Sequence, residues 1–164
     1  MSDVPTYVLE REFDAPRELV WKVWTDAELL PRWYGPGVET IVHHLEVKPG
    51  GLWLGEMRMG GGYHYQRVEY TEVTPPERLV WLHAVCDADW NVTANAMMPD
   101  WPRELLTTVT FDEDGGRTRL RLTWTPYEAS DAEAAAFAAA MDSLDRGWGA
   151  GMELIAELLA EMQA

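Results

Sequence analysis

Residues 131–163 read DAEAAAFAAAMDSLDRGWGAGMELIAELLAEMQ, and this stretch decides the fold. It contains no proline. Its apolar residues Phe137, Met141, Leu144, Trp148, Met152, Ile155 and Leu159 recur at spacings of three or four. On a helix those spacings place them all on one stripe. At about 1.5 Å per residue such a helix runs to roughly 50 Å. Nothing else in the chain predicts a helix of that size. A stripe this long needs a broad apolar cover, and a sheet that curls around it leaves space inside.

The cover comes from strands. Thr6 to Asp14 alternates in side-chain character and reads as the first. Asp14-Ala15-Pro16 then starts a short helix with Asp14 or Ala15 as cap and Pro16 at the first helical position. Its apolar face is Leu19, Val20, Val23 and Trp24. Thr25-Asp26 restarts a second short helix carrying Leu29, Leu30 and Trp33, which Gly35-Pro36-Gly37 ends. Further strands are expected at Val38 to Val47, Leu52 to Met59, Tyr63 to Val73, Arg78 to Val85, Leu105 to Phe111 and Arg117 to Thr125. The turns between them are Lys48-Pro49-Gly50-Gly51, Gly60-Gly61-Gly62, Thr74-Pro75-Pro76-Glu77 and Asp112 to Gly116. Hairpin connections make the sheet antiparallel, and the segregation of strands from helices gives an α+β class. The linker Asp87 to Arg103 is long for such a rhythm and carries Trp90 and Trp101 with Met97 and Met98. It is expected to fold back over one mouth of the sheet.

Composition bounds the function. The 164 residues suffice for one domain spanning 1–164. Thirteen Lys and Arg face 28 Asp and Glu, a net charge of −15, which opposes nucleic-acid binding. Cys86 is the single cysteine, so no internal disulfide forms and a cysteine-based metal site is disfavoured. No apolar run is long enough to cross a membrane and no signal-peptide pattern opens the chain. These features predict a cytoplasmic protein with no membrane insertion. Free sheet edges leave room for a homodimer.

The order and wording of several short motifs resemble a known family. They are Arg11-Glu12-Phe13-Asp14-Ala15-Pro16, Val20-Trp21, Trp24-Thr25-Asp26, Arg32-Trp33-Tyr34-Gly35-Pro36, Lys48-Pro49-Gly50-Gly51-Leu52-Trp53 and Pro75-Pro76-Glu77-Arg78-Leu79-Val80. Thr108 to Phe111, Gly116 to Leu120 and Gly147-Trp148 complete the series. The chain resembles the bacterial proteins similar to the C-terminal domain of the heat-shock-protein ATPase activator, within the START-like, or SRPBCC, superfamily. The resemblance implies a helix-grip fold: a curved antiparallel sheet of about seven strands around the long C-terminal helix, with two short helices after the first strand and a cavity between sheet and helix. These motifs are scaffold, and superfamily relatives range from lipid carriers to cyclases, so function must be argued from the site.

No nucleophile elbow, zinc-protease helix, paired-cysteine motif, phosphate loop or dinucleotide fingerprint is present, and no cofactor is expected. Adjacent His43 and His44 on a strand point to opposite faces, which opposes a shared metal site. On the third strand Trp53, Gly55, Met57 and Met59 read as the inner face, with Glu56 and Arg58 outside. Trp53, Met57, Trp81, Phe137, Met141 and Trp148 supply a lining suited to an apolar or aromatic small molecule. Tyr63, His64, Tyr65 and His83 are the polar candidates. The competing account is that the aromatic residues fill the core and the histidines are surface or hydrogen-bonded core groups. Trp33 and Tyr34 read as structural. The favoured function is a binding module that holds a hydrophobic or aromatic ligand without catalysis. The alternatives are a cyclase- or aromatase-like enzyme and a chaperone ATPase regulator.

Overall fold

A computed structural model describes residues 4–34, 38–59, 62–95 and 98–164. Strand β1 (Tyr7–Phe13) leads into helix α1 (Arg17–Thr25) and the single turn α2 (Leu30–Trp33). Strands β2 (Glu39–Leu45), β3 (Leu52–Met59), β4 (Gly62–Thr74), β5 (Arg78–Cys86), β6 (Glu104–Asp114) and β7 (Arg117–Pro126) follow, then helices α3 (Asp131–Ala139) and α4 (Met141–Met162). Every strand pairing is antiparallel, and the spatial order is β1-β7-β6-β5-β4-β3-β2. The class is thus α+β with a helix-grip arrangement, as the motif series implies. Glycines 60 and 61 of the expected hairpin tip lie outside the described residues, as do Gly35, Pro36, Gly37 and Met97.

One face of the sheet carries the core. Along β7, Thr118, Leu120, Leu122 and Trp124 are buried while Arg117, Arg119 and Arg121 are exposed, the period of two expected of a sheet covered on one side. Against that face α4 lays Met152, Ile155 and Leu159, all buried. The Tyr7 hydroxyl donates to Asp145 at 2.9 Å and ties β1 to the start of α4. Near the other end Arg32 on α2 pairs with Glu161 at 2.8 Å.

The structure corrects the expectation of one unbroken helix from 131 to 163. The chain leaves helical geometry at Ala140 (φ −96°, ψ 5°), whose N–H bonds to Phe137 in a tighter turn. No proline or glycine marks the break. α3 has its own start, a capping box in which Ser130 and Glu133 bond each other's backbone N–H groups. The break allows Phe137 to pack on Trp101 and Trp124 while α4 follows the sheet. At the first helix Pro16 is the extended cap residue, one position earlier in the helix than the sequence predicts.

Two further departures have identifiable causes. A bulge between Val42 and His44 breaks the alternation of β2, so the expected opposition of His43 and His44 fails. His43 reaches Glu56, and His44 lies opposite Leu54, both on the convex face. The linker 87–103 does not close one mouth only. Trp101 is buried with Phe137 and Trp124 on the core side, whereas Trp90, at φ 67°, packs on His43 and Tyr65 on the convex side. Among the described residues no helix is long and apolar enough to cross a membrane.

Ile155 is fully buried on the seam between α4 and the sheet. Ile155→Ala is expected to cost about 2–5 kcal/mol in urea unfolding, and Glu157→Ala, on the exposed side of the same helix, less than about 0.5 kcal/mol.

Candidate functional site

Between α2, β7 and α4 lies a pocket of about 230 Å³ lined by Trp33, Tyr34, Trp124, Ser143, Leu144, Gly147, Trp148 and Gly151. Its helical wall is built by a spacing of four. Ser143, Gly147 and Gly151 stack on one side of α4 and leave a trough beside Leu144 and Trp148. At Gly147 a Cβ would meet nothing within 4 Å. The remaining walls are aromatic. Trp148 stands edge-on to Trp124 at 5.7 Å and to Tyr34 at 6.1 Å, and lies parallel to Trp24 at 6.3 Å. Trp33 is fixed by donating its indole N–H to the Val23 carbonyl at 2.9 Å.

Tyr34 connects this pocket to a polar floor on the sheet. Its ring packs edge-on against Trp53 at 4.6 Å, and its hydroxyl donates to Gln66 Oε1 at 3.1 Å. The same oxygen lies 3.0 Å from His83 Nε2. A carbonyl oxygen only accepts, so Nε2 carries the proton and Nδ1 a lone pair. Burial, reinforced by His64 nearby, pushes His83 down to about 4, which keeps the ring neutral. Burial also raises the Tyr34 phenol well above its ordinary value, against the opposing effect of Gln66.

The floor is under-satisfied. Trp53 Nε1, Gln66 Nε2, His83 Nδ1, Thr107 Oγ1 and Trp124 Nε1 are buried with no protein partner. They come from β3, β4, β5, β6 and β7, so an unpartnered polar atom stands on each of these neighbouring strands. Buried polar atoms are rarely left without a partner, which sets this floor apart from the rest of the sheet's inner face.

The sequence-predicted residues distribute unevenly around this site. Trp148 lines the pocket. Trp53 and His83 lie one layer deeper, behind Tyr34 and Trp124. His64 shares the inward phase of β4 with Gln66 and is half-buried, and burial lowers its pKa. Met57 is buried opposite His64. Trp81 packs on Trp24 and Tyr70, and Phe137 on Trp101 and Trp124. Met141 packs against the core from α4. Tyr65 is corrected: it lies opposite Glu56 and contacts Trp90 on the convex face, because neighbours along a strand alternate. The side chain of Tyr63 lies outside the described part of the structure. Glu56 sits on the face opposite Met57, where Arg58 at 2.9 Å and then His43 hold its carboxyl below the ordinary range.

Sequence reasoning gave Trp33 and Tyr34 a structural role and missed Trp124 and the trough of Ser143, Gly147 and Gly151, as well as Gln66. Two signals were legible. Small residues repeat every four positions beside the apolar stripe of α4, and Gln66 stands in phase with inward Val68 and Tyr70. Among the described residues no group of three or more His, Cys, Asp or Glu could hold a metal ion.

These observations fit a known grouping. The profile of the family described as "Activator of Hsp90 ATPase homolog 1-like protein" matches residues 14–160, and the chain belongs to that family. A crystal structure of a Mycobacterium smegmatis protein is similar at 25% identity and TM-score 0.78, covering 96% of each chain. A solution structure from Arthrobacter aurescens is 23% identical at TM-score 0.79, covering 95% of this chain and 86% of that one. A Chromobacterium violaceum protein is 22% identical at TM-score 0.70, covering 94% and 96%. No curated protein matches the sequence.

The His83 geometry has a pH consequence. Above pH 6.5 the ring is neutral whether the chain is folded or unfolded. As pH falls from the ordinary value of 6.5 toward about 4, the unfolded chain takes a proton that the folded site refuses, so stability is lost over that window. The difference corresponds to roughly 3 kcal/mol at most. Urea unfolding at several pH values is expected to show wild type losing more stability than His83→Gln between pH 7 and 4. Parallel losses would mean that His83 is not held neutral.

Proposed function

We propose that the protein binds a small apolar or aromatic molecule in the pocket between α4 and the sheet, and that it does so without covalent chemistry. The observation that carries this reading is the pocket wall itself. Trp33, Trp124, Trp148 and Tyr34 surround a trough lined by Gly147 and Gly151, with open space at Gly147. Concave, mainly apolar sites with a few polar groups are the usual form of ligand pockets. The family and fold are compatible with such a role.

Volume narrows the ligand. Ligand pockets typically span about 300–1,000 Å³. A pocket of about 230 Å³ suits one or two fused rings better than a lipid or an extended polyketide chain. The polar groups weigh against a cyclase- or aromatase-like enzyme. An efficient general acid or base titrates near the working pH. His83 is driven down to about 4 and Tyr34 is driven upward, so neither is poised for proton transfer near neutrality.

Gly147 provides the test, because a side chain there projects into open space. Gly147→Leu is expected to weaken binding of 2-ethylnaphthalene at least tenfold, read by quenching of tryptophan emission. Removing a glycine from a helix interior also tends to stabilise the fold, by up to about 1 kcal/mol. A melting temperature that holds or rises while binding falls supports the pocket. Unchanged binding to the leucine variant refutes it. Native mass spectrometry of protein purified from its own host would then identify a retained compound.

A further inference from the structure

The proposed pocket leaves the ligand's polar chemistry open, and the sheet floor narrows it. Gln66 is oriented by its oxygen, which accepts from the Tyr34 hydroxyl at 3.1 Å and from His83 Nε2 at 3.0 Å. That turns the amide nitrogen the other way, toward Gly55 on the neighbouring strand. A Cβ built on Gly55 would lie 3.5 Å from Gln66 Nε2 and 3.6 Å from Trp53 Nε1. Both nitrogens are buried, on residues only 1% and 2% exposed, and neither has a hydrogen-bond partner. Both N–H donors therefore face the position that a Cβ on residue 55 would take.

Leaving two buried donors unpaired is costly. An acceptor that met both would recover that cost. The donors are neutral, and the chain carries a net charge of −15, so an uncharged acceptor is favoured over a carboxylate or phosphate. The niche is linked to the pocket through Tyr34, which lines the pocket and donates its hydroxyl to Gln66. Trp53, the second donor, packs directly on that same ring.

We propose that the Gly55 niche is a carbonyl-recognition site: Gln66 Nε2 and Trp53 Nε1 donate to one carbonyl oxygen of the bound molecule, whose apolar ring system occupies the pocket. The ligand class is a neutral aromatic ketone, quinone or amide. This assignment rests on the pocket reading above and adds to it the group that fixes the ligand's orientation. Gly55 becomes a specificity residue, because a side chain there would stand between the oxygen and its two donors. The Cβ of alanine would make ordinary van der Waals contacts of 3.4–3.6 Å with Gln66 and Trp53, so the variant is compatible with the fold.

The test compares 2-acetylnaphthalene with 2-ethylnaphthalene, which replaces the carbonyl by a methylene at nearly equal size. In wild type the ketone is expected to bind about tenfold more tightly, the effect of one well-made polar contact. In Gly55→Ala the ratio is expected to fall to about one, and in Trp53→Phe to an intermediate value. The indole N–H resonance that disappears in Trp53→Phe should move in wild type with the ketone and stay with the hydrocarbon. That readout needs no variant to bind ligand. A ratio of one in wild type, with both probes bound, overturns the niche and leaves the pocket standing. A ratio unchanged in both variants also overturns it. Binding of neither probe overturns the pocket reading and this inference with it.

Discussion

The structure depends on one indole. Trp24 is buried on α1, with Trp33 of α2 at 4.5 Å, Trp81 of β5 at 6.0 Å, Phe111 of β6 at 6.1 Å and Trp148 of α4 at 6.3 Å. The short helices, the middle of the sheet and the long helix thus meet around a single ring. Aromatic pairs at such distances add to the area they bury, and the hub converts several weak contacts into one rigid corner. The pocket is what remains beside that corner. The aromatic corner holds sheet and helix apart there, and where α4 continues with glycines no large side chain fills the gap.

The fold was legible because its signals are periodic. The stripe from Phe137 to Leu159 and the alternation of β7 each report a covered face without reference to any partner. Turn residues such as Gly50-Gly51 and Gly115-Gly116 placed the neighbouring strand ends within three residues. Local geometry was not legible where no residue type enforces it. Ala140 breaks the helix with good helix formers on both sides, because Phe137 is drawn toward Trp101 and Trp124, and that pull comes from tertiary packing. The bulge at His43 likewise follows from its place beside Glu56.

The site was legible only in kind. An aromatic lining was expected, and aromatic walls are present, but mostly from other residues. Reading which residues are large and apolar does not separate those that fill the core from those that border a gap. Trp81 and Phe137 fill it, and Tyr34 and Trp124 border it. The more informative residues were the small ones and the misplaced polar one. Gly147, Gly151 and Gly55 create space, and Gln66 places an amide where the strand pattern calls for an apolar side chain.

Six of the nine tryptophans form a connected path as well as a core. Trp33 touches Trp24; Trp24 touches Trp81 and Trp148; Trp148 touches Trp124; and Trp124 touches Trp101. At such spacings excitation absorbed by one indole migrates among its neighbours before emission. The emission of these six is therefore a collective property, in which light taken up near Trp33 can leave from Trp101. A molecule that darkens Trp148 or Trp124 draws on the connected six, so the chain carries its own optical antenna centred on the pocket wall.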